Sequence, residues 1–467
     1  MKEFFSRKSF WIIGGVIIIL TLAALFWYFR LGTKVGGVIT KILPFGAPVE
    51  NTAPGETGSD ATAANGGSSG NTSGAVAEKT IFRQLTNVPI AGAYPLLRGG
   101  VEYVHYVEKE TGHTHEINLD SGEKRQLTNT TIPRVAMANW ALDGNAVVLR
   151  YLEKDELSGR DIVKTNLGYL PTQASSNLST GTPLSLETNG GLGSLTINLL
   201  PDNIIAVSVD PDGSNLFYLV KTTDGVSGSI INLKTKITKE VFHSTFSEWL
   251  PQLLSNGEII LTTKPSGGVL GYSYHFDPKT QTLERLVRNK SGLTTLGNRS
   301  GSRILYGENV SGNPTLGVYS KAGFAGDEGV VNYESTLPIM TFPEKCLWLI
   351  DDIRALCGSF TPTNSALLPD LWYQGRVSLS DTFWSIDTDT SEVTFLADPK
   401  KEIKQEFDVA DPMISPSEDY FIFTNKKDDS LWSFTIPQKV TPTILANLVP
   451  ANETSDINGS PNGNIPH

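Results

Sequence analysis

The chain contains 467 residues with a formal net charge of −11 at pH 7, and its 44 Gly and 26 Pro suit a fold with many turns. This length accommodates two or three average domains or one large repeat domain. Nucleic-acid binding requires a basic face that neutralises phosphates, and the sequence has no basic block apart from a few charges beside its first apolar segment. We therefore expect no nucleic-acid partner.

Residues 10–29 form an apolar stretch without a charged side chain. As a helix this stretch would be about 30 Å long, which matches the hydrocarbon thickness of a bilayer. Arg7 and Lys8 precede it, and Trp27 and Tyr28 lie near its second end, where amphipathic rings favour the membrane interface. The alternative is a cleaved signal peptide, but no small-x-small cleavage pattern follows the stretch. We predict an uncleaved transmembrane helix over residues 10–29.

The orientation of this helix is not decided by its flanking charges, because basic residues occur equally on both sides. We place the N-terminus inside, since no later apolar stretch could return the chain across the membrane and the domain that follows is typical of extracytoplasmic proteins. The expected localisation is the cytoplasmic membrane with a single pass. Residues 1–9 then form a cytoplasmic stub.

Residues 30–78 are predicted to be a flexible linker. Most of this segment is rich in Gly, Ser, Thr, Ala, Asn and Pro and poor in apolar side chains. Such a composition cannot bury enough surface to offset the entropy lost on ordering. Residues 446–467 are rich in Asn, Pro and Gly and are predicted to be a disordered tail. A compact domain is therefore expected over residues 79–445.

A repeated pattern occupies residues 79–445: a short apolar stretch, a tight turn and an alternating strand. Asp-Gly and Asn-Gly at several turns supply the positive-φ residue that tight hairpins need, and no long amphipathic helical period occurs. The turns fall at positions 100, 144, 213, 257, 301, 352 and 418, with intervals of 44, 69, 44, 44, 51 and 66 residues. An interval of 44 residues is near the length of a four-stranded propeller blade. The pattern predicts an all-β fold, a seven-bladed β-propeller.

A five-residue segment that occurs twice in the sequence predicts how the ring of blades closes. Arg125–Asn129 ends the first unit as its outer strand, and the same five letters occur at Arg83–Asn87 before any unit has begun. The last unit stops after Leu431–Phe434, one strand short of the others. Pairing the early segment with the last unit would leave no unpaired terminal blade. The alternative is a chance repetition of five letters.

Two of the repeats resemble a known family. The turns Val209–Gly213 and Ile414–Glu418 look like the WD40-like (PD40) repeats of TolB-type β-propellers, whose turn usually reads Ser-Pro-Asp-Gly. The turns at Arg299–Gly301 and at Asp351-Asp352 depart from that pattern, so six or eight blades are alternatives to seven. The resemblance implies a protein-binding propeller, often of the cell envelope, without intrinsic catalysis.

The chain has 2 cysteines, Cys346 and Cys357. A two-residue hairpin turn at Asp351 and Asp352 would place them directly opposite each other, at about 4.5–5.5 Å between Cα atoms, which is within disulfide reach. An oxidising compartment would favour the bond. This register predicts that Cys346 and Cys357 form a hydrogen-bonded pair of the antiparallel ladder, which is the less favourable geometry for a disulfide. Two buried free thiols are the alternative.

His113 and His115 alternate along a strand and lie on one face of it, and His105 is on the preceding strand. Imidazoles are common zinc ligands. However, the register depends on an unknown loop length, and no carboxylate is clearly placed on that face. We interpret the segment as a solvent-exposed polar hairpin and predict no metal site and no cofactor. Asp210 and Asp212 lack the acidic spacing of a calcium loop, and turn formation explains them.

The 66-residue interval holds an insertion at about residues 358–381 that contains Leu371, Trp372 and Tyr373. Loops carry function on rigid scaffolds, and aromatic residues dominate binding hot spots. We therefore predict a partner-binding surface at these three residues. The alternative is that the aromatic side chains pack over the blade.

No cluster in the sequence forms a catalytic signature, so we predict no catalytic residues. The predicted function is that of a membrane-anchored extracytoplasmic module that binds proteins or another ligand of the cell envelope. The alternative is a glycan-active hydrolase or lyase with its site in the propeller channel. That alternative requires Asp, Glu or His residues that converge at the channel mouth.

Overall fold

The structure is a computed structural model that describes residues 81–155, 159–171, 192–321, 332–361 and 367–437. The predicted membrane helix at residues 10–29, the linker and the tail lie outside these ranges. Within the described ranges, no helix combines the length and the apolar character needed to span a bilayer.

The described residues form seven antiparallel sheets of four strands each. The first strand of the chain, β1 (Phe82–Gln84), belongs to the last of these sheets. Sheet 1 consists of β2 (Ile90–Arg98), β3 (Val101–Glu108), β4 (Thr114–Asn118) and β5 (Lys124–Gln126). Sheet 2 consists of β6 (Val135–Ala141), β7 (Ala146–Lys154), β8 (Asp161–Tyr169) and β9 (Thr196–Leu199). Sheet 3 consists of β10 (Ile204–Val209), β11 (Asn215–Lys221), β12 (Val226–Asn232) and β13 (Thr238–Ser244).

Sheet 4 consists of β14 (Trp249–Leu253), β15 (Ile259–Thr263), β16 (Leu270–Asp277) and β17 (Thr282–Ser291). Sheet 5 consists of β18 (Thr294–Gly297), β19 (Arg303–Val310), β20 (Asn313–Ser320) and β21 (Tyr333–Leu337). Sheet 6 consists of β22 (Cys346–Trp348), β23 (Arg354–Phe360), β24 (Asp381–Asp387) and β25 (Glu392–Ala397). Sheet 7 consists of β26 (Val409–Ile414), β27 (Tyr420–Asn425), β28 (Ser430–Thr435) and β1. The described helices are short: a 3₁₀ turn at Pro343–Lys345, α1 (Asp370–Tyr373) and α2 (Pro399–Glu402).

All seven predicted turns join the first and second strands of a sheet, one turn per sheet, which confirms a propeller of seven blades. The residue at every turn position has a positive φ. Five of these residues are glycines, and the other two are Asp352 (φ 58°) and Glu418 (φ 61°). The two longest intervals have the expected cause, because the 69-residue interval includes the chain between β8 and β9 and the 66-residue interval includes the chain between β23 and β24.

Because the strands alternate in direction, the seven turns lie at one end of the propeller, which we call the turn face. The loops between second and third strands, and the connections between sheets, lie at the opposite end, which we call the loop face. The first strands of the sheets are the inner strands, and neighbours such as β2 and β6 or β10 and β14 are in contact.

Hydrogen bonds join each sheet to the next around the turn face. They link Leu142 N to Gly213 O (2.8 Å), Leu253 N to Ser208 Oγ (2.8 Å), Ser255 N to Arg299 O (3.3 Å), Asn298 Nδ2 to Asp352 O (3.0 Å), Ile350 N to Glu418 Oε1 (2.6 Å), Ser417 N to Glu102 Oε1 (2.8 Å) and His105 Nδ1 to Gly144 O (3.0 Å). Polar groups that the turns would otherwise leave unpaired are thereby satisfied. The turn face is therefore a continuous rim.

Sheet 7 contains both ends of the described chain. β1 pairs antiparallel with β28, with Phe82 opposite Phe434. The Phe82 ring lies 5.3 Å from the Phe383 ring and 5.6 Å from the Phe407 ring, centroid to centroid, so β1 also contributes to the core between sheets 6 and 7. Burial of large aromatic rings stabilises this seam, since each ring removes a large apolar area from water.

Candidate binding site on the loop face

The insertion between β23 and β24 crosses the loop face, and its described part is residues 367–380. Two hydrogen bonds attach it to loops of other sheets. Gly267 N in sheet 4 donates to Asp370 Oδ2 (2.6 Å), and Asn309 Nδ2 in sheet 5 donates to Leu368 O (2.8 Å). The loops of sheets 4, 5 and 6 therefore form one connected surface.

The three residues that the sequence predicts as a partner surface anchor this insertion. Trp372 is 3% exposed, and its Nε1 donates to Asp408 Oδ1 at 2.8 Å. The Tyr373 hydroxyl donates to Glu344 Oε1, and Leu371 packs with both aromatic residues in a small core cluster. Trp372 thus packs over the blade, which is the arrangement that the sequence left as the alternative, whereas Leu371 and Tyr373 are only partly buried.

A buried ion triad lies beneath Trp372. The Lys345 ammonium lies 2.6 Å from Asp381 Oδ2 and 2.6 Å from Asp408 Oδ1, and all three side chains are 0–1% exposed. Burial raises the pKa of Asp381, although the positive charge of Lys345 lowers it. The Lys345 Nζ also lies 5.0 Å from the Trp372 ring centroid, in cation–π contact. The triad connects sheets 6 and 7 and is closed to solvent, so it is a structural element of the fold.

The connected surface carries four exposed apolar side chains. Val269 and Leu270 in sheet 4 are 62% and 54% exposed, Val310 in sheet 5 is 47% exposed, and Leu367 in the insertion is 55% exposed. We call these four residues the loop-face patch. The segments that carry them are held together: Gly292 N donates to Val269 O (3.3 Å), and the position of a Cβ on Gly292 lies 3.0 Å from Pro369 Cδ.

The channel offers few ionisable groups. All seven inner strands are described, and together they contain no His and a single carboxylate, Asp411, whose pKa is raised by burial and by the nearby Asp429 carboxylate, although Lys426 lowers it. At the turn face, Asp212 forms an ion pair with Arg299, and Glu418 accepts the backbone hydrogen bond of Ile350. A glycosidase uses two carboxyl groups about 5–9.5 Å apart, and the inner strands do not provide that pair.

Cys346 lies directly opposite Cys357 in the pairing of β22 with β23, and the two are joined by a disulfide with Cα atoms 4.1 Å apart. The predicted hydrogen-bonded character of this pair is wrong. Leu349 N donates to Arg354 O, and hydrogen-bonded pairs alternate along an antiparallel ladder. The cysteines therefore form a non-hydrogen-bonded pair, which brings their Cα atoms closer.

The histidines separate onto two faces of sheet 1. His105 pairs with Glu116 (2.9 Å between Nε2 and Oε2), whereas His113 and His115 lie on the other side with Glu108. Glu108 was missed because the length of the loop after β3 could not be read from the sequence. The three residues are half-buried, so the predicted solvent-exposed hairpin is also wrong.

Asp210 forms turn hydrogen bonds, as predicted. Its Oδ1 accepts from Ser214 N (2.7 Å) and from Asn215 N (3.0 Å). Asp212 has a different partner, Arg299, two sheets away.

No protein-family model matches the chain, and no curated protein matches it. Solved structures with a similar fold include an oligogalacturonate lyase from Vibrio parahaemolyticus (11% identity over 78% of this chain and 96% of that one, TM-score 0.48). They also include the Cps50 (Swd1) β-propeller domain of Myceliophteria thermophila (7% identity, 76% and 100%, TM-score 0.47) and TolB from Acinetobacter baumannii (11% identity, 73% and 78%, TM-score 0.36). At these identities the likeness concerns the propeller fold alone.

Proposed function

We propose that the propeller is a non-catalytic binding module that holds a partner protein on its loop face. The observation that carries this proposal is the loop-face patch, whose four apolar side chains are 47–62% exposed on loops of three sheets. Contiguous exposed apolar surface in a soluble domain marks interaction sites. The hydrogen bonds that join the three loops hold the patch in place, so a partner would bind with little cost in loop ordering.

The chemistry of the channel supports binding over catalysis. A glycan hydrolase would require a pair of carboxyl groups with one raised pKa. The inner strands supply one carboxylate with a raised pKa, Asp411, and the carboxylate that acts on it, Asp429, is engaged in an ion pair with Lys109 (2.6 Å). At the turn face, Asp212 and Glu418 are engaged by other groups of the chain.

The experiment compares full-length chains in which exposed apolar pairs are removed from opposite faces. Val269→Ser/Leu367→Ser removes half of the loop-face patch, whereas Ile237→Ser/Ile350→Ser removes residues of similar exposure (69% and 74%) on the turn face. Partners cross-linked in membranes would be quantified by mass spectrometry. Loss of two anchors should reduce recovery of a specific partner by about tenfold or more, since each 1.4 kcal/mol is a factor of ten.

Recovery of that partner with the turn-face variant should equal that of the natural chain. Equal recovery with both variants, or equal loss from both, would overturn the proposed surface. Thermal unfolding of each variant would be measured in parallel, and both should match the natural chain because all four substituted residues are exposed.

The proposal includes anchoring by residues 10–29 with the propeller outside the cytoplasm. The length and apolar character of that segment support a membrane span, and the Cys346–Cys357 disulfide supports an oxidising compartment. A reporter enzyme that is active only outside the cytoplasm, fused after His467, should be active. Deletion of residues 10–29 should release the chain from membranes. An inactive reporter on a stable fusion would contradict the orientation.

A further inference from the structure

Three residues of sheet 1 converge on the loop face, away from the loop-face patch and the ion triad. Glu108 ends β3, His113 lies in the following loop, and His115 is in β4. One ligand atom from each residue lies within 4.8 Å of the others. His115 Nε2 is 3.3 Å from Glu108 Oε1, a separation typical of two ligands of one tetrahedral metal ion, which are about 3.3–3.5 Å apart when each bond is near 2.1 Å.

The arrangement is held in place by neighbouring groups. Thr111 Oγ1 donates to Glu108 Oε2 (2.8 Å) and accepts from His113 N (3.2 Å), so one hydroxyl orients two of the three residues. The His115 ring stacks on the buried Tyr106 ring with centroids 5.1 Å apart. Groups that fix metal ligands in this way are part of a metal site, because they set ring orientation and reduce the cost of binding.

The loop itself is tied to the connection between sheets 1 and 2. Thr111 O accepts from Ile132 N (2.9 Å), and Lys109 O accepts from Val135 N (2.9 Å). His113 Nε2 is 3.1 Å from Thr131 Oγ1 in the same connection. The loop that carries His113 is therefore positioned by groups of sheet 1 and of the connection to sheet 2.

One buried polar atom of this cluster has no hydrogen bond. His115 Nε2 is buried and has no hydrogen bond. Buried polar groups without partners are rare, because the lost solvation is not recovered. In its neutral form the imidazole has a lone pair on one ring nitrogen. The carboxylate Oε1 faces that lone pair, and a cation between them would satisfy both.

We propose that Glu108, His113 and His115 form a binding site for a divalent transition-metal ion of the Zn²⁺ class. Two imidazoles and one carboxylate favour such ions over Mg²⁺ and Ca²⁺, which prefer all-oxygen ligands. Three protein ligands leave a coordination position that water or an external donor can occupy. The ion would join the end of β3 to the start of β4 on the loop face.

The test uses the full-length chain, purified in detergent and stripped of metal with a chelator. Co²⁺ would be titrated while its visible absorption is recorded, and Zn²⁺ would then be used to displace it. The natural chain should bind one ion saturably at micromolar concentrations, with the absorption of a four- or five-coordinate site. His115→Gln and Glu108→Gln should each weaken binding by about 100-fold or more, because ligand loss exceeds the 10–100-fold effect of losing an outer-shell group.

His243→Gln is the matched control, because the His243 side chain is exposed and its charged neighbour is Asp224, 3.8 Å away, and not a residue of the proposed site. It should bind Co²⁺ as the natural chain does. Thermal unfolding with and without Zn²⁺ separates binding from fold damage: the natural chain should gain stability with Zn²⁺, and Glu108→Gln should lose that gain while its metal-free unfolding temperature is unchanged. Absence of saturable binding by the natural chain, or equal affinity in the His115→Gln and His243→Gln variants, would overturn the site.

Discussion

At the scale of single residues, the seven turn positions impose the same backbone requirement with different surroundings. Gly213 has a φ of +63°, and a Cβ at this position would lie 2.9 Å from Leu142 N, the atom that bonds to Gly213 O across two sheets. Gly257 has a φ of +83°, but a Cβ there would meet nothing within 4 Å. The two glycines therefore separate the cost of a left-handed backbone from the cost of close approach between turns.

Gly213→Ala is expected to lower the free energy of unfolding by more than Gly257→Ala. Both variants place an L-residue in left-handed conformation, at a cost of about 1–2 kcal/mol. Only the first also pushes a methyl group into the neighbouring turn, which adds about 1 kcal/mol or more of overpacking. Urea denaturation followed by circular dichroism would measure both. Equal losses would show that the turns of sheets 2 and 3 do not touch as described.

At the scale of elements, the sequence was informative where structure depends on neighbouring residues and uninformative where it depends on distant ones. The turn positions and the opposition of Cys346 and Cys357 follow from local periodicity, and the structure has both. The burial of Trp372 depends on Lys345 and Asp408, which lie in other segments, so no local sequence pattern could predict it. The sequence did not predict that Glu108 lies beside His113 and His115, because that depends on the length of the loop after β3.

The ion triad between sheets 6 and 7 gives a prediction with a defined pH dependence. Lys345→Met removes the cation that lowers the pKa of Asp381 and that bonds both buried carboxylates, so Lys426 is left as a more distant positive charge acting on Asp408. Breaking a buried pair in this way costs about 3–5 kcal/mol. A carboxyl whose folded-state pKa is raised destabilises the fold above its unfolded pKa, so the deficit should be largest at pH 7.5 and should shrink as the pH falls toward 5.

Urea denaturation of the natural chain and of the variant across this pH range would measure the deficit. Lys400→Met is the control, because Lys400 pairs with Glu406 at 2.6 Å on the surface, where the Lys400 side chain is 69% exposed. Its stability should follow that of the natural chain at every pH. A pH-independent deficit in Lys345→Met would mean that the loss came from packing and not from uncompensated charge.

At the scale of the whole molecule, the propeller depends on a contact between its two ends. β1 supplies the outer strand of a sheet whose other three strands begin at Val409, so sheet 7 can form only after the chain has extended through β28. Contacts of such long sequence separation form late, because the entropy of loop closure must be offset first. Arg83 and Gln84 lie in β1, and the matching Arg125 and Gln126 lie in β5, so the first letters of the two similar segments both belong to the outer strand of a sheet.

Phe82→Ala tests whether this closing strand stabilises the entire ring. Phe82 is 5% exposed and contacts the rings of Phe383 and Phe434, so its truncation should cost about 3–5 kcal/mol through lost burial and the resulting cavity. Ile81 precedes it and is 48% exposed, so Ile81→Ala should cost well under about 1 kcal/mol. Hydrogen exchange would show the extent of the effect: protection should fall in β26–β28 and in β22–β25 together, because Phe82 lies in the core that sheets 6 and 7 share. If Phe82→Ala and Ile81→Ala had equal stability, β1 would be dispensable and the ring would have to close through β26–β28 alone.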